Sequence, residues 1–268
     1  MKVNFLIIGA AKSATTSLSN ALALHPEICF SQPKEPQFFS KLEWRDHIDE
    51  YHKLFNCDSK LYGEGSTNYT KFPNFNKNVS ADIFEYNPNM KLIYMMRNPI
   101  DRIISHYTHT YNRGYQKNSD IDHVITSEIQ HINVSRYAMQ IEPYLNVFGK
   151  EQVLLLFFED FVSQPQKVLD TVYEFLNVGS FEVDTSKLNS NKSFNRWVLH
   201  YKYDNPKTLW QKIKKIGLIA KNYFNADFID SKPKISEETK KYIVDSLTGD
   251  IKKIEKLTNR DLSHWLKY

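Results

Sequence analysis

The stretch FLIIGAAKSATTSLSNALAL, Phe5 to Leu24, joins an apolar run to a helical pattern through a short loop of small residues holding one lysine. Val3 to Ile8 has too little polar alternation for a half-exposed strand, so it reads as a strand buried on both faces and ending at Gly9. Leu18, Ala21 and Leu22 recur at helical spacing, which predicts a helix opening between Ala14 and Ser17. A helix start leaves its first N–H groups unpaired and carries partial positive charge, so the turn from Ala11 to Ser17 suits a tetrahedral anion. Lys12 adds a full charge, and Ser13, Thr15, Thr16 and Ser17 add hydroxyls. A well-capped helix after a strand would use the same residue types. A Walker A loop needs G-x-x-x-x-G-K-[ST]. Here Lys12 stands three positions after the only glycine of the loop, which disfavours a nucleoside triphosphate with magnesium.

Outward from this stretch the pattern repeats. Lys91 to Met96 (KLIYMM) and Gln152 to Phe158 (QVLLLFF) read as further buried strands, with Ile28 to Phe30 and Lys60 to Glu64 as shorter ones. Helices are expected over 44–55, 78–86, 119–132, 135–148 and 165–176, and a last apolar stripe from Ser236 is expected to break at Gly249. After Met96 come Arg97, Asn98 as an N-cap and Pro99 at the first helical position. Ile100, Ile103, Ile104, Tyr107 and Tyr111 form that helix's buried stripe, while Arg102, Ser105 and His109 share another face. Strands alternating with helices predict one α/β domain over residues 1–268, a parallel sheet with helices on both faces. Ligands then sit beyond the carboxyl ends of the strands, where Gly9, Arg97 and Phe158 all fall.

Composition narrows the function. The formal net charge of +4 mixes both signs, which argues against a dedicated nucleic-acid binder and leaves room for a local basic cleft. Cys29 and Cys57 are the only cysteines, so neither a disulfide framework nor a cysteine-based zinc site is expected. The nine histidines form no H-x-x-x-H or H-E-x-x-H pattern, so no metal is implied. No apolar run is long enough to span a bilayer, and the expectation is a cytoplasmic protein without a membrane anchor. Oligomeric state is open.

GAAKSATTSL, followed by HPEI and PKEPQFF, resembles the 5′-phosphosulfate loop and the next segment of sulfotransferases that use 3′-phosphoadenosine 5′-phosphosulfate (PAPS), especially the heparan-sulfate-type branch and its bacterial relatives. The resemblance implies a P-loop-like fold, PAPS as donor, PAP as product, no metal, and a small-molecule or glycan acceptor. It places Lys12, Ser13, Ala14, Thr15, Thr16 and Ser17 on the phosphosulfate, with glycine in many members where this chain has Ala14. It makes Glu35 the general base, and gives Arg97 and Ser105 the 3′-phosphate. His109 takes the position of a histidine thought to assist transfer, and Tyr137 that of a tyrosine lining the nucleotide pocket. Segment 188–197 resembles the late loop that folds over PAPS, with Lys192 and Arg196 as the basic candidates. Glu159 and Asp160 read as caps and turn formers. Two other readings stand beside this one: a P-loop-like nucleotide kinase, and a non-catalytic nucleotide- or glycan-binding protein.

Overall fold

The computed structural model of the chain describes residues 1–74, 78–188, 208–210, 213, 214, 217 and 228–268. Strand β1 (Phe5–Gly9) lies at the centre of a five-stranded sheet. Its companions are β2 (Ile28–Phe30), β3 (Leu61–Gly65), β4 (Lys91–Met96) and β5 (Val153–Phe157), in the order β2-β3-β1-β4-β5. Every pairing is parallel, with Leu6 level with Glu64 on one side and Leu92 on the other. All five carboxyl ends therefore share one edge. The chain moves to one side of β1 for β3 and crosses to the other for β4, so the loops after β1 and β4 part and leave a crevice between them.

The missing polar alternation of β1 has its cause in two cores. Phe5 and Ile7 pack on one face with α1 (Thr15–Leu22), Ile93 and Met95, while Leu6 and Ile8 pack on the other with Leu92, Tyr94 and Met96. Between these strands come α2 (Ile48–His52), α3 (Val79–Tyr86), α4 (Pro99–Asn112), α5 (Ile121–Ser127), α6 (Gln130–Asn133) and α7 (Tyr137–Phe148). After β5 follow α8 (Phe158–Ser163) and α9 (Pro165–Leu176), and α9 joins α1 on the first face through Leu169, Val172 and Leu176. The second face is covered by α3, α4, α7 and the C-terminal helix Glu237–Thr258.

Several local expectations need correction. The C-terminal helix runs unbroken through Gly249, because its stripe of Ile243, Leu247, Ile251 and Ile254 stays buried on both sides of that residue. The helix expected over 44–55 divides into a 3-10 turn at Trp44–His47 and α2, and that over 119–132 into α5 and α6. The terminal DLSHWLKY makes a 3-10 turn that buries Trp265.

The cysteines also depart from expectation: Cys29 and Cys57 form a disulfide with Cα atoms 5.8 Å apart, although 28 positions separate them. The parallel pairing of β2 with β3 brings the segment before β3 back beside β2, a long-range contact that counting cysteines does not reveal. Disulfides persist in oxidising compartments and are rare in the cytosol. Among the described residues, no helix is long and apolar enough to cross a membrane.

Candidate active site

The loop after β1 turns sharply. A Cβ on Gly9 would lie 2.1 Å from the Thr70 hydroxyl oxygen and 2.7 Å from the Tyr94 ring, so only glycine fits this strand end. Lys12 (φ 73°) and Ala14 (φ 60°) are both left-handed, and Ala14 is the N-cap of α1 without any side-chain cap bond. Among the described residues, no carboxylate or hydroxyl is bonded to the amides at the start of this helix. Ser13 is 0% exposed and its hydroxyl has no hydrogen-bond partner among the described residues. Such an orphaned donor beside a lysine and an uncapped helix start fits an anionic group. Thr15 is buried, the Thr16 hydroxyl accepts from Lys34 Nζ at 2.7 Å, and the Ser17 hydroxyl donates to the Leu188 carbonyl at 2.8 Å. Ser17 thus links the first turn of α1 to Leu188.

From the neighbouring strand, Arg97 reaches across. Its Nη1 donates to the Lys12 carbonyl at 3.2 Å, its guanidinium lies 4.3 Å from the Phe158 ring centroid, and its Nε is buried without a partner among the described residues. The two basic residues singled out from separate motifs therefore meet in one crevice. The junction is braced from behind, where the Asn98 amide donates to Glu159 Oε1 at 2.8 Å and the Tyr137 hydroxyl to the Arg97 carbonyl at 2.7 Å. Tyr137, which the sequence reading placed at the nucleotide pocket, is wholly buried with its hydroxyl on the Arg97 carbonyl. Asn98 accepts from the amides of Ile100 (3.0 Å) and Asp101 (3.3 Å) and starts α4 as its residue type requires.

On α4, Ser105 and His109 are half-buried. Arg102 does not share their surroundings: it is 0% exposed, with Nε donating to Ser135 Oγ at 2.6 Å and Nη2 to the His131 carbonyl at 2.8 Å. The third wall is the loop after β2. Glu35 (φ 58°) accepts from Lys34 at 3.3 Å, and Lys34 in turn donates to Thr16, which joins this loop to the start of α1. Lys192 and Arg196 lie outside the described residues.

Charge in this crevice is one-sided. Burial, then the Arg113 and Arg97 guanidiniums, pull the Lys12 amine down to about 8, against the attraction of Glu35. Burial, then Lys12, Arg113 and Lys71, bring His109 down to about 3, so its imidazole is neutral at ordinary pH. Lys34 and Lys71 are lowered by burial while Glu35 opposes the shift in both. Lys34, Lys71, Arg113, Phe158 and Glu159 are members of the site that the sequence reading did not assign. Lys34 adjoins Glu35, and Arg113 lies one helical turn past His109, so both carried a local signal. Lys71 carried none.

A family model described as the sulfotransferase domain matches residues 2–253. The chain belongs to the sulfotransferase family. Among relatives of this sulfotransferase, the mouse bifunctional heparan sulfate N-deacetylase/N-sulfotransferase 1 is 30% identical over 65% of this chain and 22% of its own length. Human carbohydrate sulfotransferase 15 is 27% identical over 66% of this chain and 44% of its own. The chain thus spans less than half the length of these two relatives. A sulfotransferase from Alicyclobacillus acidocaldarius has the same fold, with a TM-score of 0.71 and 24% identity over 99% of both chains.

Proposed function

We propose that this sulfotransferase moves the sulfuryl group of PAPS to a hydroxyl or amine of a carbohydrate acceptor. The observation that carries the reading is the contact of Arg97 with the Lys12 carbonyl, which closes one cationic crevice over an uncapped helix start and an orphaned serine. Lys12, the Ser13 hydroxyl and the amides of residues 14–16 would hold the phosphosulfate, the Ser13 amide itself donating to the Ala10 carbonyl at 3.2 Å, and Arg97 with Ser105 would hold the 3′-phosphate. The names of the two relatives, one for heparan sulfate and one for carbohydrate, support a glycan acceptor. Lys71 and Arg113 add positive charge around Glu35 and His109, which favours a sugar bearing a carboxylate or sulfate beside the reacting group.

In the reaction the acceptor oxygen or nitrogen attacks sulfur in line, a new bond to sulfur forms, and the bond from sulfur to the bridging phosphate oxygen breaks. Negative charge grows on the departing phosphate, where Lys12 and the helix-start amides are already oriented, so their advantage needs no reorganisation in the transition state. Glu35 takes the acceptor's proton. His109, with a conjugate acid near 3 in the free protein, is too weak a base for that task and serves as a neutral hydrogen-bonding group at the acceptor.

Thermal shifts separate this reading from its rivals. A ligand at about 100 times its Kd adds roughly 2.7 kcal/mol, so 3′,5′-ADP should raise the melting temperature while ATP with magnesium should not. A kinase would reverse that order, and a non-catalytic glycan binder would respond to neither. Transfer of label from PAPS to members of a glycan panel then identifies the acceptor. Absence of any 3′,5′-ADP shift would end the proposal.

A further inference from the structure

Glu64, near the end of β3, is 0% exposed. No basic side chain is bonded to it among the described residues. Three hydroxyls donate to it instead: Tyr69 at 2.5 Å and Tyr51 at 3.5 Å to Oε1, and Ser66 at 2.7 Å to Oε2. Two of these hydroxyls have a second bond. Ser66 Oγ accepts from the Gln37 amide at 2.9 Å, and the Tyr69 oxygen accepts from the Phe39 amide at 3.3 Å. A hydroxyl has one proton to give, and an ionised carboxylate can only accept. While Glu64 is charged, both hydroxyls must therefore turn their protons inward and their lone pairs toward the loop. That loop needs anchoring, because Glu35 (φ 58°) and Gln37 (φ 52°) are both left-handed, a conformation costing an ordinary residue roughly 1–2 kcal/mol.

We propose that Glu64, as a carboxylate, is a positioning residue that works through Ser66 and Tyr69 to hold the loop presenting Glu35 to the acceptor. The proposal rests on the reading of Glu35 as the base. An apolar core would have been the simpler filling at this depth, since a buried carboxylate without a cationic partner is costly. Its retention is accounted for by the two relays, which only an acceptor-only group can orient together.

The device also responds to pH. Burial and the Glu35 charge raise the Glu64 carboxyl to about 7, while the bonds from Tyr69, Ser66 and Tyr51 act the other way. The groups facing it are Tyr51 from α2, Ser66 and Tyr69 after β3, and Lys34 and Glu35 from the loop. Once protonated, one Glu64 oxygen becomes a donor, and the hydroxyl facing it must turn its own proton elsewhere, which disturbs its bond with the loop amide. Turnover should then decline with a single proton as pH falls through 7.

The test begins with ¹⁵N amide shifts of Gln37 and Phe39 in the full chain, followed from pH 5 to 9. Both should titrate together near 7, the transition should vanish in Glu64→Gln, and it should move to lower pH in Glu35→Gln. With PAPS and the acceptor found by the panel, Glu64→Gln should lower kcat by about ten- to a hundredfold, as a misplacement of about 1 Å does. The KM for PAPS and the 3′,5′-ADP shift should hold, and Glu35→Gln/Glu64→Gln should be no slower than Glu35→Gln. Ser66→Ala, which cuts only the Gln37 relay, serves if Glu64→Gln folds poorly, and should release Gln37 but not Phe39. Amides that ignore pH, or a Glu64→Gln enzyme at the parental kcat, would overturn the positioning role. A Glu35→Gln enzyme at the parental rate would instead sink the base assignment, while the amide titration stood.

Discussion

The Lys12 recess and the Glu35 loop face the same basin, but they are assembled differently. The recess comes from one continuous run in which strand end, lysine and helix start follow each other, and Arg97 reaches it from the adjacent strand. The loop has no regular element around Glu35; it hangs on Lys34 at one end and on hydroxyls of Ser66 and Tyr69 at the other. Donor binding should therefore be robust to changes on the loop side, while turnover should be sensitive to both.

The largest effects separate the two halves by what is lost. Glu35→Gln should lower kcat about 10²- to 10⁴-fold, the usual worth of a general base, with the 3′,5′-ADP thermal shift unchanged. Lys12→Ala should lower kcat about 10²- to 10³-fold, as loss of one donor to a developing oxyanion does, and should weaken 3′,5′-ADP as well. Steady-state kinetics and calorimetry on both variants check the split. A Glu35→Gln protein that lost nucleotide affinity along with rate would show that the halves are not separable.

Next comes the tether of the loop side. Closing 28 residues with a disulfide should stabilise the fold by about 3 to 4 kcal/mol in the chain-entropy model, so reduction should lower the melting temperature by roughly 10 °C. Cys29 lies only two residues before Ser31, where the Glu35 loop begins. Hydrogen exchange on reduction should therefore rise in residues 31–39 and stay low in residues 9–17. Equal loosening of both stretches would contradict the comparison.

The same contrast explains what the sequence made legible. Strands β1 and β4, the Asn98-Pro99 helix start and the closeness of Lys12 to Arg97 follow from local periodicity plus the rule for parallel sheets. Glu64 reads in sequence only as the end of a short strand, since its partners come from positions 51, 66 and 69 and its consequences appear at 37 and 39. Arg102 was grouped with Ser105 and His109, and periodicity alone does not tell that Ser135 and the His131 carbonyl stand where they receive a buried guanidinium. The Cys29–Cys57 bond depends on how β2 pairs with β3, which no count of cysteines contains.

On the donor side, pH supplies a smaller test. The Lys12 amine of the free protein titrates near 8, and a bound anion holds the proton more tightly. Above pH 8 binding must therefore take up a proton, so affinity for 3′,5′-ADP should fall by up to about tenfold per pH unit. Below pH 7 this dependence should disappear. Calorimetry in buffers of different ionisation enthalpy would reveal the proton uptake directly, and Lys12→Arg should remove it.

The smallest expected effect lies at Ala14, where the recess accepts strain that the loop side meets with hydroxyl anchors. At φ 60° and ψ 20° an alanine sits in the left-handed region, roughly 1–2 kcal/mol worse than its preferred conformations. Glycine would relieve this but would enlarge the freedom of the unfolded chain, by about 0.4–1 kcal/mol. It would also remove a methyl that is half-buried against the α1 core. The balance predicts that Ala14→Gly raises stability by about 0.5 kcal/mol, roughly 1–2 °C in melting temperature. Affinity for 3′,5′-ADP should stay within about twofold, because the amides at the helix start already point into the recess. A loss of more than 1 kcal/mol, read by urea unfolding, would mean that the Ala14 methyl anchors the turn through packing, and the recess would then depend on a remote core as heavily as the loop depends on Glu64.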